Sequence, residues 1–332
     1  MLGPCAAEAG RYNRGKETVH QNLHGMATDD APEIRLESAW RRRYNRLGYW
    51  YVLPAALFFI LMTAWPILRS LYLSFFDYYL LDPEATRFVG FGNYAKIFTE
   101  SVNHLPFWNT LRFTVIFVPP FVIVALIVAV MLNELRRGSV FLRTMIFTPV
   151  VVSMAVSSVL WLLFYDAGYG MGQKALEAVL GKHAPEAGVL GDKHWAMGGI
   201  ALMCLWNGIG VNIILFLVGL GRISEDVYEA ALVDGASPWQ RFWHVTLPQL
   251  RGTTVLVVLL SAIGALKVFG QPYIMTGGGP ADSTQTFVMR LYELAFRTRT
   301  FEMGYASALA YALAAFIFVV SAFLWKFNKP AE

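Results

Sequence analysis

The sequence predicts an all-α polytopic membrane protein with six transmembrane helices, and three properties of the chain lead to that fold class. Hydrophobic residues make up 56% of the 332 residues and charged residues only 15%, whereas about a quarter of the residues in soluble domains are charged. Six long apolar segments together contain a single Asp, Glu, Lys or Arg, which is Lys267. Each segment has the roughly 20 residues that a helix needs to cross a hydrocarbon core of about 30 Å. A water-soluble globular fold is therefore excluded.

The first 46 residues precede the first apolar segment, lack helical periodicity and are expected to form a polar, largely disordered tail. Gly10 to Lys16 matches the start of a phosphate-binding loop only by chance, because Glu17 replaces the Mg²⁺-binding Ser or Thr and no apolar strand precedes it. Met26 is an alternative translational start, since the residues before it show no structural pattern. The six predicted spans follow the tail at residues 49–68, 113–132, 145–164, 195–220, 252–275 and 303–325.

Lys and Arg concentrate beside one set of span ends. The tail carries four arginines within residues 41–46, and the loop after the fourth span carries three between residues 222 and 251. Basic residues near span ends favour the cytoplasmic side. We therefore predict that both termini and residues 221–251 are cytoplasmic and that residues 77–108 form an extracytoplasmic loop. The net charge of +4 then reflects membrane topology, and no nucleic-acid partner is predicted.

The predicted cytoplasmic loop at residues 221–251 is much longer than a simple connection requires. Ile223 to Val233 has a helical pattern with acidic residues in its first turn, and Gly235 follows as a stop signal. Ser237 is then a natural N-cap for a second short helix, which starts at Pro238 and is rich in aromatic residues. This pattern has two interpretations: a helical hairpin at the membrane interface, or a docking element for a partner protein.

The same loop carries a specific resemblance. Glu229-Ala230-Ala231, Gly235 and the segment 245–248 (VTLP) resemble, in identity and spacing, the EAA loop of ABC importer permeases, with Val245 in place of the usual isoleucine. Residues 70–75 (SLYLSF), 88–94 (FVGFGNY) and 276–280 (TGGGP) are similar to the carbohydrate-uptake branch, in particular to its maltose-type "F" subunit. The resemblance implies a MetI-like type I ABC importer permease fold. Its core would cover residues 109–325, after a first transmembrane helix at 47–76 and before a cytoplasmic C-tail at 326–332.

The resemblance also implies a function and a set of partners. The chain would be one half of a heterodimer with a second six-span permease subunit, and would take up a small sugar by alternating access in the plasma membrane, or the inner membrane of a diderm cell. An extracytoplasmic solute-binding protein would deliver the solute. Two cytoplasmic ATPase subunits would bind ATP and Mg²⁺, so no catalytic residue, metal or cofactor is expected on this chain. The ATPase contact would be formed by Glu229, Ala230, Ala231, Gly235, Pro238, Trp239 and Phe242.

Residues of the fourth and fifth spans are implied to line the substrate pathway. Ala265 and Val268 replace polar residues of the maltose relative, which indicates a different solute. An alternative role for Asn207 and Asn212 is ordinary interhelical hydrogen bonding. Lys267 either meets an anionic solute or has a structural or gating role. The implied pathway residues are Asn207, Gly208, Val211, Ser261, Ala265 and Val268, to which Asn212, Lys267, Trp206 and Gln271 are added as neighbours.

Two other functions are weighed against a sugar permease. An intramembrane enzyme is disfavoured, because the sequence has no His-Glu-x-x-His, no Gly-x-Ser-x-Gly and no carboxylate pair within a span, and its six His lie outside the spans. An ABC permease for an amino acid, a sugar phosphate or a uronate would share the docking loop. The loop at residues 276–280 favours a sugar over these solutes.

Overall fold

A computed structural model describes residues 49–135 and 139–326. The tail, the phosphate-loop-like segment, Met26 and residues 327–332 lie outside the described residues. A hairpin of β1 (Phe76–Tyr79) and β2 (Asp82–Phe88) follows the first helix. The helices are α1 (Tyr49–Leu73), α2 (Gly92–Thr99), α3 (His104–Glu134), α4 (Ser139–Val151), α5 (Met154–Phe164), α6 (Met171–Leu180), α7 (Ala196–Leu220), α8 (Glu225–Val233), α9 (Pro238–Arg241), α10 (Arg251–Leu266), α11 (Gly270–Met275), α12 (Phe287–Phe296) and α13 (Met303–Lys326).

The lengths and apolar character of these helices confirm the predicted membrane fold. Among the described residues, four helices are long and apolar enough to cross a membrane, namely α1, α3, α7 and α13. The number rises to six if each of two bent helix pairs is one span. One pair is α4 with α5, and the other is α10 with the helical segment Pro238–Gln249 that includes α9. The chain divides into two compact units within α1, one ending at Ile67 and the other beginning at Leu68.

Two predicted spans are not continuous helices. The third, at 145–164, bends by 96° between α4 and α5. Ser153 starts the second half there, because its extended backbone ends α4 and its Oγ accepts a hydrogen bond from the backbone N–H of Val156 at 3.4 Å. The fifth, at 252–275, is interrupted by Lys267, Val268 and Phe269, which separate α10 from α11. Apolar periodicity does not reveal such breaks, since both halves remain apolar.

The core of the second unit lies where α3, α7 and α10 pack together. A Cβ on Gly219 would approach Thr253 Oγ1 to 2.6 Å and Leu250 Cδ2 to 3.0 Å, so this glycine lets α7 and the start of α10 come close together. The contact holds in place the two ends of the chain segment that connects them. Fully buried side chains of this core include Phe113, Met197, Ile200, Met203, Phe216, Leu250 and Val257.

The two motifs that flank the β hairpin contact each other. The buried Asn93 donates through Nδ2 to the carbonyl of Ser74 at 3.1 Å and to that of Phe76 at 2.9 Å. Tyr94 and Ser74 share a hydroxyl hydrogen bond of 2.8 Å, and the rings of Phe75 and Tyr94 lie 5.8 Å apart. These motif residues therefore stabilise the junction between α1, the hairpin and α2.

Candidate functional site

A cavity of about 300 Å³ lies between α3, α7 and α10. Most of the residues that the sequence assigned to the substrate pathway line it, from α7, from α10 and from the chain that follows α10. The residues so placed are Asn207, Gly208, Val211, Asn212, Ser261, Ala265, Val268 and Gln271.

The polar part of the cavity wall is a pair of side chains from two helices. Asn212 of α7 donates through Nδ2 to Ser261 Oγ of α10 at 3.0 Å, and both residues are buried. The bond joins the two helices and orients both groups beside the cavity. Among the described residues, the lining contains no Asp, Glu, Lys, Arg or His. This chain therefore presents a neutral surface to the cavity.

The third wall is a phenylalanine ladder on α3. Phe113 and Phe117 stack with ring centroids 5.4 Å apart, and Phe117 and Phe121 stack at 4.5 Å. All three line the cavity. None of the three is among the predicted pathway residues, which were polar residues and their neighbours on the fourth and fifth spans, although a phenylalanine at every fourth position of a span predicts an aromatic stripe on one helix face.

Asn207 lines the cavity but directs its amide nitrogen away into the broken helix pair. Its Nδ2 lies 2.9 Å from the carbonyl oxygen of Pro149, 3.3 Å from that of Val152 and 2.9 Å from Ser157 Oγ. These acceptors flank the bend between α4 and α5, where a continuous helix would have supplied backbone donors. The geometry is that of the interhelical hydrogen bonding considered as the alternative for this residue.

Lys267 and Trp206 are not among the residues that line this cavity. Lys267 ends α10 with its side chain exposed. Trp206 packs against Trp161 of α5, with ring centroids 5.8 Å apart.

The segment after α11 is hydrogen-bonded to the cavity wall. Thr286 Oγ1 donates to the carbonyl of Val268 at 2.8 Å in a buried bond. Asn109 Nδ2 of α3 donates to the carbonyls of Asp282 at 2.7 Å and Gln285 at 3.0 Å. Because these side chains donate to backbone carbonyls, which every residue has, no sequence motif predicts the bonds. They fix the position of the chain break beside the cavity.

The predicted docking loop folds as two capped helices. Ser224 caps α8 by accepting from the N–H of Asp226 at 3.3 Å. Gly235 ends α8 with φ of +77°, and Ala236 N–H then donates back to the carbonyl of Ala231 at 2.9 Å, as in a Schellman motif. Ser237 starts α9 through a capping box with Gln240. The sequence therefore predicted both helices, the glycine stop and the second cap correctly.

A hydrogen bond joins α8 to the helical segment Pro238–Gln249 that begins with α9, and several candidate contact residues face outward. Tyr228 OH and Thr246 Oγ1 lie 3.0 Å apart. Glu229 is exposed and forms no salt bridge with any residue that the structure describes. Ala230, Gly235 and Pro238 are also exposed, whereas Ala231 and Phe242 are half-buried.

An aromatic cluster occupies the surface of the second helix of the loop. The centroid of Trp239 lies 6.1 Å from that of Phe242 and 5.6 Å from that of Trp243. Trp239 is 68% exposed and Trp243 47% exposed. Tryptophan at this exposure is unusual on a surface that contacts only water.

Known proteins resemble this chain over most of its length. The family model for binding-protein-dependent transport system inner membrane components matches residues 107–327. The probable ABC transporter permease protein YurN of Bacillus subtilis is 35% identical over 288 residues, covering 86% of this chain and 97% of the relative. The lactose transport system permease protein LacF of Rhizobium radiobacter is 35% identical over 292 residues, covering 86% of this chain and 94% of the relative.

A solved structure shows the same fold. A chain of a bacterial ABC transporter involved in the import of the acidic polysaccharide alginate matches with a TM-score of 0.72 at 20% identity, covering 89% of this chain and 98% of that chain. Together with the family match over residues 107–327, this shows that the chain belongs to the binding-protein-dependent transport system inner membrane components and is a membrane permease with the MetI-like fold of ABC importers.

Proposed function

We propose that this permease imports a neutral sugar or oligosaccharide and that the 300 Å³ cavity is its half of the translocation pathway. The observation that carries the proposal is the combination of a phenylalanine ladder with uncharged polar groups in one cavity. Sugar rings present apolar faces that stack on aromatic side chains and hydroxyl groups that need hydrogen-bond partners. The lactose transport system permease protein LacF of Rhizobium radiobacter, whose match covers 86% of this chain, supports a sugar as the solute class.

The polar groups available to a sugar hydroxyl are few. Asn212 and Ser261 are already hydrogen-bonded to each other at 3.0 Å, so the free acceptor of Asn212 and the hydroxyl proton of Ser261 remain for a solute. Gln271 supplies a further amide at the α11 end of the cavity. The neutral lining favours an uncharged sugar over a uronate or a sugar phosphate, because an anion in a membrane-embedded site needs a compensating cation.

The coupling contact is proposed to be the outward surface of α8 and α9. Glu229, Ala230, Ala231, Gly235, Pro238, Trp239 and Phe242 would meet a cytoplasmic ATPase subunit that binds ATP and Mg²⁺. The exposed carboxylate of Glu229 would pair with a basic residue of that subunit. The exposed aromatic cluster around Trp239 would fill a groove on the partner, since aromatic anchors in pockets provide most of the energy of such interfaces.

The remaining partners and the orientation belong to the same proposal. The chain would pair with a second six-span permease subunit, work with two ATPase subunits and receive solute from an extracytoplasmic binding protein. The family description, which names a binding-protein-dependent transport system, supports the last of these partners. Both termini and the α8–α9 loop would face the cytoplasm, in line with the distribution of Lys and Arg. The ATPase subunits, not this chain, would hydrolyse ATP.

Reconstitution of the complete complex in lipid vesicles tests this proposal. Solute-dependent ATP hydrolysis is measured with the binding protein and a panel of neutral disaccharides and oligosaccharides, matched with uronates, sugar phosphates and amino acids. We expect at least one neutral sugar to stimulate hydrolysis and to accumulate in the vesicles. Stimulation only by an anionic solute or an amino acid contradicts the assignment of the solute.

A further inference from the structure

A second cavity, of about 410 Å³, lies where the end of α7, the start of α10 and the end of α13 meet. It has no residue in common with the 300 Å³ cavity, and the proposed transport function does not use it. Besides an isoleucine and two glycines, its lining combines one cation, two uncharged polar side chains, a leucine and a tryptophan. These residues are Arg222, Gln249, Thr253, Leu256 and Trp325.

The charge of this cavity is positive. Arg222 is exposed and forms no salt bridge with any described residue, and the lining contains no Asp or Glu. Lys326 is the next residue after Trp325 and is also exposed. Two acidic residues begin α8. One of them, Asp226, accepts a hydrogen bond at 3.0 Å from Ser224, the residue that caps this helix. A guanidinium beside hydroxyl and amide donors suits a phosphate group.

Apolar side chains continue from the cavity along two helices. Leu256 of α10 lines the cavity and is 40% exposed. Phe318 of α13 lies two turns before Trp325 on the same helix face and is 73% exposed. These helices are predicted spans, so the apolar side chains lie at membrane depth while Trp325 and the cations lie at the interface, where Trp and basic residues are enriched.

We propose that this cavity binds the headgroup of an anionic phospholipid. Arg222, Thr253 and Gln249 donate hydrogen bonds to the phosphate oxygens, and the acyl chains lie along Leu256 and Phe318. The site is at the base of the α8–α9 loop, because Arg222 precedes α8 and Gln249 precedes α10. A free phosphate ion has the same chemistry as the headgroup phosphate, but it has no acyl chains to contact the apolar side chains beside the cavity.

Native mass spectrometry of the purified complex tests the site. The complex is mixed with phosphatidylglycerol and phosphatidylcholine of identical acyl chains, and the bound lipid of each kind is counted. We expect preferential retention of one phosphatidylglycerol. Arg222→Gln lowers the preference about fivefold, equivalent to about 1 kcal/mol for one basic residue at the membrane surface. Arg222→Lys retains most of it, and the exposed Arg143→Gln and Arg299→Gln, which line no part of this cavity, leave it unchanged.

A second variant approaches the same site from the other wall. Gln249 is exposed, so Gln249→Glu is expected to fold while placing a negative charge beside the phosphate and removing the preference. An unchanged lipid preference in both Arg222→Gln and Gln249→Glu overturns the proposal. Displacement of phosphatidylglycerol by millimolar inorganic phosphate also overturns it, because the ligand is then a free anion.

Discussion

Replacing Asn207 with leucine is expected to destabilise the folded permease rather than to weaken solute binding alone. The amide nitrogen of Asn207 lies within 2.9–3.3 Å of two backbone carbonyls and a serine hydroxyl on the bent α4–α5 pair. Leucine has a similar size but no donor. The carbonyl of Val152 is the most affected, because the N–H of Val156, its partner in a continuous helix, donates to Ser153 Oγ instead.

The size of the effect follows from the number of hydrogen bonds. An amide nitrogen has two hydrogens, so two of the three acceptors receive a full bond at any time. Each hydrogen bond contributes about 0.5–1.5 kcal/mol net to stability, and interhelical hydrogen bonds in membranes average about 0.6 kcal/mol. We therefore expect a loss of about 2 kcal/mol. With an unfolding entropy of about 2 cal/mol/K per residue, this lowers the melting temperature by about 3 °C.

Thermal unfolding of the purified chain in detergent measures this change, and the solute concentration for half-maximal ATPase stimulation measures solute binding. Asn207→Asp should be more destabilising than Asn207→Leu, because a carboxylate directs lone pairs at carbonyl oxygens. Thr148→Ala is the matched control, since its exposed hydroxyl donates only within its own helix. An unchanged melting temperature in Asn207→Leu, with a large increase in the half-maximal solute concentration, would refute the structural role.

Three further predictions concern the docking loop and the cavity. The Glu229→Lys variant should insert normally but lose solute-stimulated ATPase activity, because removal of one partner of a buried ion pair costs about 3–5 kcal/mol. The control Glu225→Lys, at an exposed position, should retain this activity, and equal activity of the two variants contradicts the contact. Gly235→Ala should speed amide hydrogen exchange at the end of α8, because a side chain at φ of +77° costs about 1–2 kcal/mol; unchanged exchange contradicts that reasoning. Ser261→Ala leaves the buried amide of Asn212 without its 3.0 Å partner, so the solute concentration for half-maximal ATPase stimulation should rise about tenfold. An unchanged concentration would show that the Asn212–Ser261 pair is not part of the solute site.

Much of the α8–α9 loop was predictable because local signals determine its fold. Ser237 and Gln240 form a capping box through residues three positions apart, and Gly235 adopts a backbone conformation that other residues avoid. Such contacts depend on neighbours in the chain, so their spacing is visible in the sequence. The exposure of Trp239 is different, since only the folded hairpin determines which side of a short helix faces outward.

The cavity was predictable in part. The α7 and α10 residues that the maltose-type resemblance implied do line one cavity, but Lys267 and Trp206 are not among its lining residues. The phenylalanine ladder of α3 and the donors Asn109 and Thr286 came only from the structure. The two donors reach backbone carbonyls that are 173 and 18 residues away in the sequence and carry no motif. The ladder rings are four residues apart, but only the packing of α3 against α7 and α10 decides that they face this cavity.

The sequence by itself determined that this protein is a helical membrane protein, because the hydrocarbon core excludes charge over whole spans and basic residues mark span ends. It also determined the fold of the α8–α9 loop, whose caps and turn are local. Only the tertiary structure decided where the third and fifth spans break, and that the amide of Asn207 bonds to the backbone at one of those breaks. Those features depend on which distant donor reaches an unpaired carbonyl, and that choice is made when the helices pack together.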